Sequence, residues 1–180
     1  MSNNINWTLD QAHSEITFKV RHLMISNVKG HFGSFNANVA TEGEDFSTAQ
    51  VELTIDPNSL NTRNMDRDNH LKSADFFETE KYPQMIFKST SIEKVDEHTF
   101  KMNGDFTIKE LTKPITLNVE FGGVVTDPWG AQKAGFTVEG KINRKDWGLT
   151  WNAALEGGGV LVGEDIKINC EMELYKPKAD

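Results

Sequence analysis

The sequence predicts an all-β protein: about eight antiparallel strands, each with a single apolar face, suited to a sheet that closes on itself, with a short helical insert. Three observations lead there. Apolar and polar residues alternate at a period of two through most of the 180 residues. The connections between these runs are mostly short and punctuated by Asp, Gly and Pro. One segment only, Asn64 to Phe77, replaces the alternation with helix signals. Strands with a single apolar face lose their edges when the sheet closes on itself, and a barrel of about eight strands holds either packed side chains or one small ligand. A two-sheet sandwich shows similar alternation, so the period alone leaves that architecture open.

In chain order, the first clear strand sets Ile16, Phe18 and Val20 against Glu15, Thr17, Lys19 and Arg21. Val28 to Val39 is extended but changes parity. Val28, Gly30 and Phe32 share one face, whereas Phe35, Ala37 and Val39 share the other, which predicts a bulge or bend at Gly33-Ser34. A third strand carries Val51, Leu53 and Ile55 and stops at Asp56-Pro57.

The insert follows, with Asn64 as N-cap, an acidic first turn and the pair Phe76-Phe77, at least one of which should drop into the core. An apolar plug between strands predicts a lid. Met85 to Thr90 and Phe100 to Ile108 form a hairpin around Asp96-Glu97. A second hairpin begins beyond Pro114, runs through Ile115, Leu117, Val119 and Phe121, turns at Asp127-Pro128-Trp129-Gly130, and returns through Phe136, Val138, Gly140 and Ile142. Ile166, Ile168, Cys170, Met172 and Leu174 make the last strand. With no repeat, linker or low-complexity tract, residues 1–180 read as a single domain.

Composition narrows the function. A net charge of −8 and no Lys/Arg run argue against a nucleic-acid partner, and disfavour anionic membrane surfaces for the same reason. No apolar run is long enough to span a bilayer. The N-terminus lacks a basic and then apolar leader, which predicts a cytoplasmic location, or a periplasmic one if a signal has been removed. One cysteine excludes an internal disulfide.

The histidines, His13, His22, His31, His70 and His98, form no His-x-His or His-x-x-x-His pair, so no metal site is expected. His70 reads as a helix-surface residue. No Gly-x-Ser-x-Gly is present, Cys170 lies on an apolar parity as inert core, and Asp66-Arg67-Asp68 reads as a solvated helix start with a local ion pair. Gly157-Gly158-Gly159 reads as a hairpin or mobile loop rather than a phosphate loop. No catalytic residue, enzyme activity or cofactor is therefore expected. The interior remains, with Gly30 and Gly104 expected to leave space in it; as a filled core or as a ligand cavity it would show the same alternation.

Four blocks of residues carry a resemblance. They are Trp7-Thr8-Leu9-Asp10-Gln11-Ala12-His13-Ser14 leading to Val28-Lys29-Gly30-His31-Phe32; Arg67-Asp68-Asn69-His70-Leu71 through Asp75-Phe76-Phe77 and Tyr82-Pro83; Gly104-Asp105-Phe106-Thr107-Ile108 with Thr112-Lys113-Pro114-Ile115; and Arg144-Lys145-Asp146-Trp147-Gly148-Leu149 with Gly159-Val160-Leu161-Val162-Gly163. In order and spacing these resemble the YceI family of lipid- or polyisoprenoid-binding, lipocalin-like domains. The resemblance implies an extended eight-stranded antiparallel β-barrel of lipocalin-like shape with a short helical insert, whose pore holds a long apolar chain such as an isoprenoid quinone, a polyprenyl lipid or a fatty-acid derivative, and it implies a homodimer.

The residues expected to line that pore are Ile16, Phe18, Val20, Phe32, Leu53, Phe76, Phe77, Phe87, Met102, Phe106, Leu117, Val119, Phe136, Val138, Trp147, Ile168, Cys170 and Met172. His22, His31 and Arg67 are the head-group candidates. The expected mechanism is sequestration or transport without covalent change. The rival reading is a filled barrel acting as a structural or stress-associated interaction module.

Overall fold

The computed structural model describes residues 3–176. Its strands are β1 (Asn4–Leu9), β2 (Glu15–His22), β3 (Ser26–Phe32), β4 (Phe35–Glu42), β5 (Asp45–Ile55), β6 (Leu60–Asn61), β7 (Met85–Lys94), β8 (Thr99–Ile108), β9 (Leu111–Thr126), β10 (Gln132–Asn143) and β11 (Val162–Lys176), with one α-helix, α1 (Met65–Leu71). No helix among the described residues is long and apolar enough to cross a membrane.

All pairings are antiparallel, and the ring β1-β4-β5-β7-β8-β9-β10-β11 closes through β11 onto β1, giving an eight-stranded barrel. β2, β3 and β6 extend three of these strands. Both β1 and β2 lie along β11, through Leu9↔Leu174 and Glu15↔Glu171. A 3-10 turn at Gln11–His13, capped by Asp10 Oδ1 accepting from the Ala12 amide at 3.1 Å, separates them. The expected parity change at Gly33-Ser34 separates β3 from β4, and there the backbone amides of both residues donate to Ser59. A second 3-10 turn, Pro57–Ser59, interrupts β5 before β6. Each interruption lets the extended part of a strand bend away from the closed ring without breaking its neighbour's ladder.

Two strand limits differ from expectation. β1 was not anticipated, although Ile5, Trp7 and Leu9 alternate within it. β9 begins at Leu111 and contains Pro114, opposite Asp105. The proline is tolerated because β10 covers β9 only from Asn118 onward, so no second partner needs its missing N–H.

α1 starts where expected, with Asn64 Oδ1 accepting from the Arg67 amide at 3.0 Å and Asp66 and Asp68 in the first turn. The expected local ion pair is absent among the described residues. Asp68 Oδ1 instead accepts from the Thr62 amide and hydroxyl, while Arg67 donates from Nε to Thr62 Oγ1 and from Nη2 to the Thr62 carbonyl, both at 2.8 Å. These bonds tie the helix to the strand that precedes it. Phe76 is buried and Phe77 half-buried against the core, its ring edge-on to Phe32 at 6.3 Å.

A candidate ligand cavity with one open end

The barrel encloses a cavity of about 680 Å³. That falls in the size range of small-molecule sites. Of the expected lining residues, Ile16, Phe18, Val20, Phe32, Leu53, Phe76, Phe77, Phe87, Met102, Phe106, Leu117, Val119, Phe136, Val138, Ile168, Cys170 and Met172 all face it. Alternation in their strands delivers fifteen of them, and Phe76 and Phe77 come from the turn that follows α1.

Trp147 does not line it. It sits in the 3-10 turn Arg144–Trp147 that ends β10, 2% exposed, packed 5.8 Å from the Phe106 ring with its indole N–H on the Phe106 carbonyl at 2.9 Å. It supports the wall from behind.

The glycines also behave differently from expectation. A Cβ on Gly30 would lie 2.3 Å from the Phe18 ring, and one on Gly104 would lie 2.4 Å from the Phe87 ring. Each glycine seats a neighbouring strand's phenyl ring, so the absent side chains are filled by protein and the void lies further in.

One end of the cavity is sealed by aromatic rings. Phe46 is 5.2 Å from Trp7, 5.1 Å from Phe121 and 4.9 Å from Phe136, and Phe121 stacks on Phe136. Offset and edge-on contacts at these distances are favourable beyond their buried area. The Trp7 indole N–H is satisfied by Thr41 Oγ1 at 2.9 Å. Outside this end, Lys133 Nζ bridges Asp10 Oδ2 at 2.9 Å and Glu173 Oε1 at 3.3 Å, with His13 Nδ1 3.0 Å from the same Asp10 oxygen. Hydrogen bonds from Lys133 and His13 hold the Asp10 carboxyl down at about 2. Asp10, His13 and Glu173 together have the spacing of a metal cradle, but the Lys133 ammonium already bonds to both carboxylates.

The other end is polar. The solvent-exposed residues along the cavity wall are Arg21, Asn64 and Asp66, all on the side of α1 and the β2–β3 turn. Half-buried His22, Arg67 and His70 join them there. His70, expected on the helix surface, faces the cavity: it shares a helix face with Arg67 and Leu71 at i, i+3 and i+4, a spacing legible in the sequence. Its Nε2 is 2.9 Å from Asp75 Oδ2, and its ring stands edge-on to Trp151 and Phe76.

His31 is not at this site. Between inward Gly30 and Phe32 its side chain projects outward, as strand alternation requires. Cys170 is buried in the wall, where desolvation pushes its thiol up to about 12, so it is no nucleophile at neutral pH.

Arg144, which no spacing rule singled out, is 2% exposed and lines the same polar end. Its guanidinium donates to the carbonyls of Leu149, Trp151, Gly163 and Val162 at 2.6 to 3.3 Å, and burial lowers its pKa. It thereby fixes the loop carrying Trp151 and Leu161 over the cavity. That loop is a hairpin, as expected: Ala154 bridges Val160, and Leu155 donates to Gly159 across Gly157-Gly158.

Residues 7–174 match the YceI-like domain family. The chain belongs to the YceI-like family. A UPF0312 protein of Staphylococcus aureus is 44% identical over 169 residues, covering 93% of this chain and 96% of that protein. Among solved structures, the Campylobacter jejuni YCEI protein is 38% identical with a TM-score of 0.76, covering 95% of this chain and 98% of that one. A polyisoprenoid binding domain from Saccharophagus degradans, implicated in plant cell wall breakdown, has the same fold at 15% identity, with a TM-score of 0.67, covering 98% of this chain and all of that one. This YceI-like barrel shares with those structures its overall architecture.

Proposed function

We propose that this YceI-like protein binds a long-chain apolar lipid in its barrel and sequesters or carries it without covalent chemistry. The observation that carries the reading is the apolar cavity of about 680 Å³ inside a closed sheet with a single polar end. A void of this size lined by Phe, Ile, Val, Leu and Met is costly to leave empty and has no polar groups with which to order water along most of its length. Each methylene buried contributes about 0.8 kcal/mol, so roughly ten of them amount to about 8 kcal/mol before ordering costs, on the scale of micromolar binding. The polyisoprenoid-binding name of a structural neighbour supports the same ligand class. An isoprenoid quinone, a polyprenyl lipid or a fatty-acid derivative fits this chemistry.

The tail would lie along Phe106, Leu117 and Val138 toward the Phe46 cluster. The head group would meet Arg67, His22 and His70. Arg67 retains donors beyond the two spent on Thr62, which suits an oxygen-rich or anionic group. Binding rather than catalysis is the reading favoured, since the cavity wall pairs no nucleophile with a base and its one thiol is held protonated. A filled structural barrel is disfavoured by the cavity itself.

Organic extraction of the purified protein followed by mass spectrometry should yield a long-chain apolar molecule. An extract without lipid, together with no uptake of added polyprenyl quinone, would overturn the proposal.

A further inference from the structure

Four lysines scattered over the chain meet in one row across the barrel's outer face. Lys141 pairs with Lys167, Lys167 with Lys19, and Lys19 with Lys29, each directly opposite the next in β10, β11, β2 and β3. All four have the outward parity of their strands, since Val20, Val28, Ile142 and Ile168 beside them face the cavity. Like charges placed directly opposite one another in a sheet are destabilising. The row is not neutralised: only Lys141 has a carboxylate within reach among the described residues, Asp165 at 3.8 Å. Exposed His31 flanks the row on β3, on the same face. A protein of net charge −8 thus gathers a largely unpaired cationic face across β10, β11, β2 and β3.

The tip of the β2–β3 hairpin is apolar. Leu23, Met24 and Ile25 are 38%, 52% and 78% exposed. Leu23 and Met24 both hold left-handed backbone, at φ 54° and 64°, a conformation that Asn or Gly adopts at less cost. Met65, at the start of α1 and between the cavity-lining Asn64 and Asp66, is also 78% exposed. The tip borders the cavity's open end: His22 lines the cavity, the Leu23 amide donates to the Leu161 carbonyl at 2.8 Å, and a Cβ on Gly159 would touch Met24 at 3.2 Å.

We infer that this cationic face and the apolar tip of the β2–β3 hairpin dock on an anionic phospholipid bilayer and present the open end of the cavity to it. The reading rests on the cavity being a lipid site, and it supplies the step such a site needs, since a water-insoluble ligand must be exchanged with a membrane. Lysines near an anionic surface supply long-range attraction, while the tip side chains reach the acyl boundary beside the mouth. The lysines lie far apart in the chain and converge only through strand register, so the sequence shows no basic run.

Vesicle sedimentation of the full chain tests this, with phosphatidylcholine alone against an equimolar mixture with phosphatidylglycerol. Binding is expected to the anionic vesicles only, and to vanish near 1 M salt, where the Debye length falls to about 3 Å. Lys19→Gln/Lys29→Gln/Lys167→Gln should weaken it by roughly fivefold per lysine, on the order of a hundredfold in all. With the like-charge row relieved, the triple variant should unfold no earlier than wild type. Ile25→Ser should weaken binding while leaving its salt dependence in place.

Equal binding to both vesicle types, no binding to either, or an undiminished triple variant would overturn the inference. So would retention of a double-stranded oligonucleotide at salt that releases anionic vesicles, which would assign the face to nucleic acid. Extractable lipid is measured on the same preparations. Lipid present without vesicle binding sinks the docking face alone, and vesicle binding by a protein that takes up no lipid supports the face and sinks the cavity reading.

Discussion

Around Phe46, four aromatic side chains interlock at centroid distances of 4.9 to 5.2 Å and an ion-pair latch of Asp10, Lys133 and Glu173 closes the strands outside them, whereas around Arg67 the wall is polar, half-exposed and held by a seven-residue helix. Both ends belong to one barrel, and the sheet is continuous between them. The difference lies in what caps each end. Aromatic rings exclude water and contribute packing energy, so the sealed end should carry stability. Arg67 and His70 sit on a seven-residue helix none of whose residues is buried, so the open end should carry selectivity and motion. Stability and ligand recognition are thereby separated along one axis.

The largest effect should come from breaking the middle of that axis. Leu117 is 8% exposed on the cavity wall, and Leu117→Arg places a cation where the alternation supplies no carboxylate. The long side chain can reach toward the open end, so the fold is partly rescued. Extraction should then recover almost no lipid, while thermal unfolding shifts less than a filled core would require. Wild-type occupancy in the folded variant would show that Leu117 does not face the ligand.

Next comes the sealed end. Phe46→Ala should cost about 3–5 kcal/mol in denaturant unfolding, since a fully buried ring leaves a cavity among three others. A loss below about 1 kcal/mol, at the scale of a surface change, would erase the contrast between the ends.

At the open end the balance should reverse. Arg67→Met removes two bonds to Thr62 but leaves the Thr62 hydroxyl donating to Asp68, so stability should fall by only about 1 kcal/mol. Competition with a lipid lacking a polar head should show the wild-type preference for the headed form reduced about tenfold, the worth of one charge-assisted bond. Unchanged preference would remove Arg67 from the head-group site. For the helix as a lid, hydrogen exchange should run faster over residues 64–77 than over Ile166 to Leu174 and slow when lipid is added. Equal protection of the two segments would count against it.

The smallest effect concerns the latch. The Asp10 carboxyl sits at about 2 in the folded protein against 3.8 when unperturbed, lowered chiefly by its hydrogen bond from Lys133. Because the folded value is the lower one, the unfolded chain takes up the proton first as pH falls. The stabilisation is therefore complete above 3.8 and disappears on the way down to about 2. Asp10→Asn should flatten the stability profile in that window by less than about 1 kcal/mol, as suits a partly exposed pair. An unaltered slope there would mean the latch holds nothing.

Alternation alone determined which face of its own strand nearly every residue occupies. Fifteen of the expected lining residues reach the cavity on that basis, and the same rule, applied to His31 between Gly30 and Phe32, would have turned it outward. The helix cap at Asn64 and the break at Gly33-Ser34 were equally legible, because capping and parity are local properties of a few consecutive residues. Trp147 was misplaced because its 3-10 turn has no strand period to read.

Tertiary structure decided the rest. Whether Gly30 and Gly104 leave a void or seat a phenyl ring depends on the side chain of the adjacent strand, and the cavity exists only because the closed ring is wider than those rings can fill. The polar end collects Arg21, Arg67 and Arg144 from distant parts of the chain. The lysine row has the same origin: Lys29 and Lys141 belong to one surface only because strand pairing sets the register of β3 on β2, β2 on β11 and β11 on β10. A side chain's facing repeats every two residues and is written locally, whereas its neighbours across the sheet are fixed by pairings that no single strand contains.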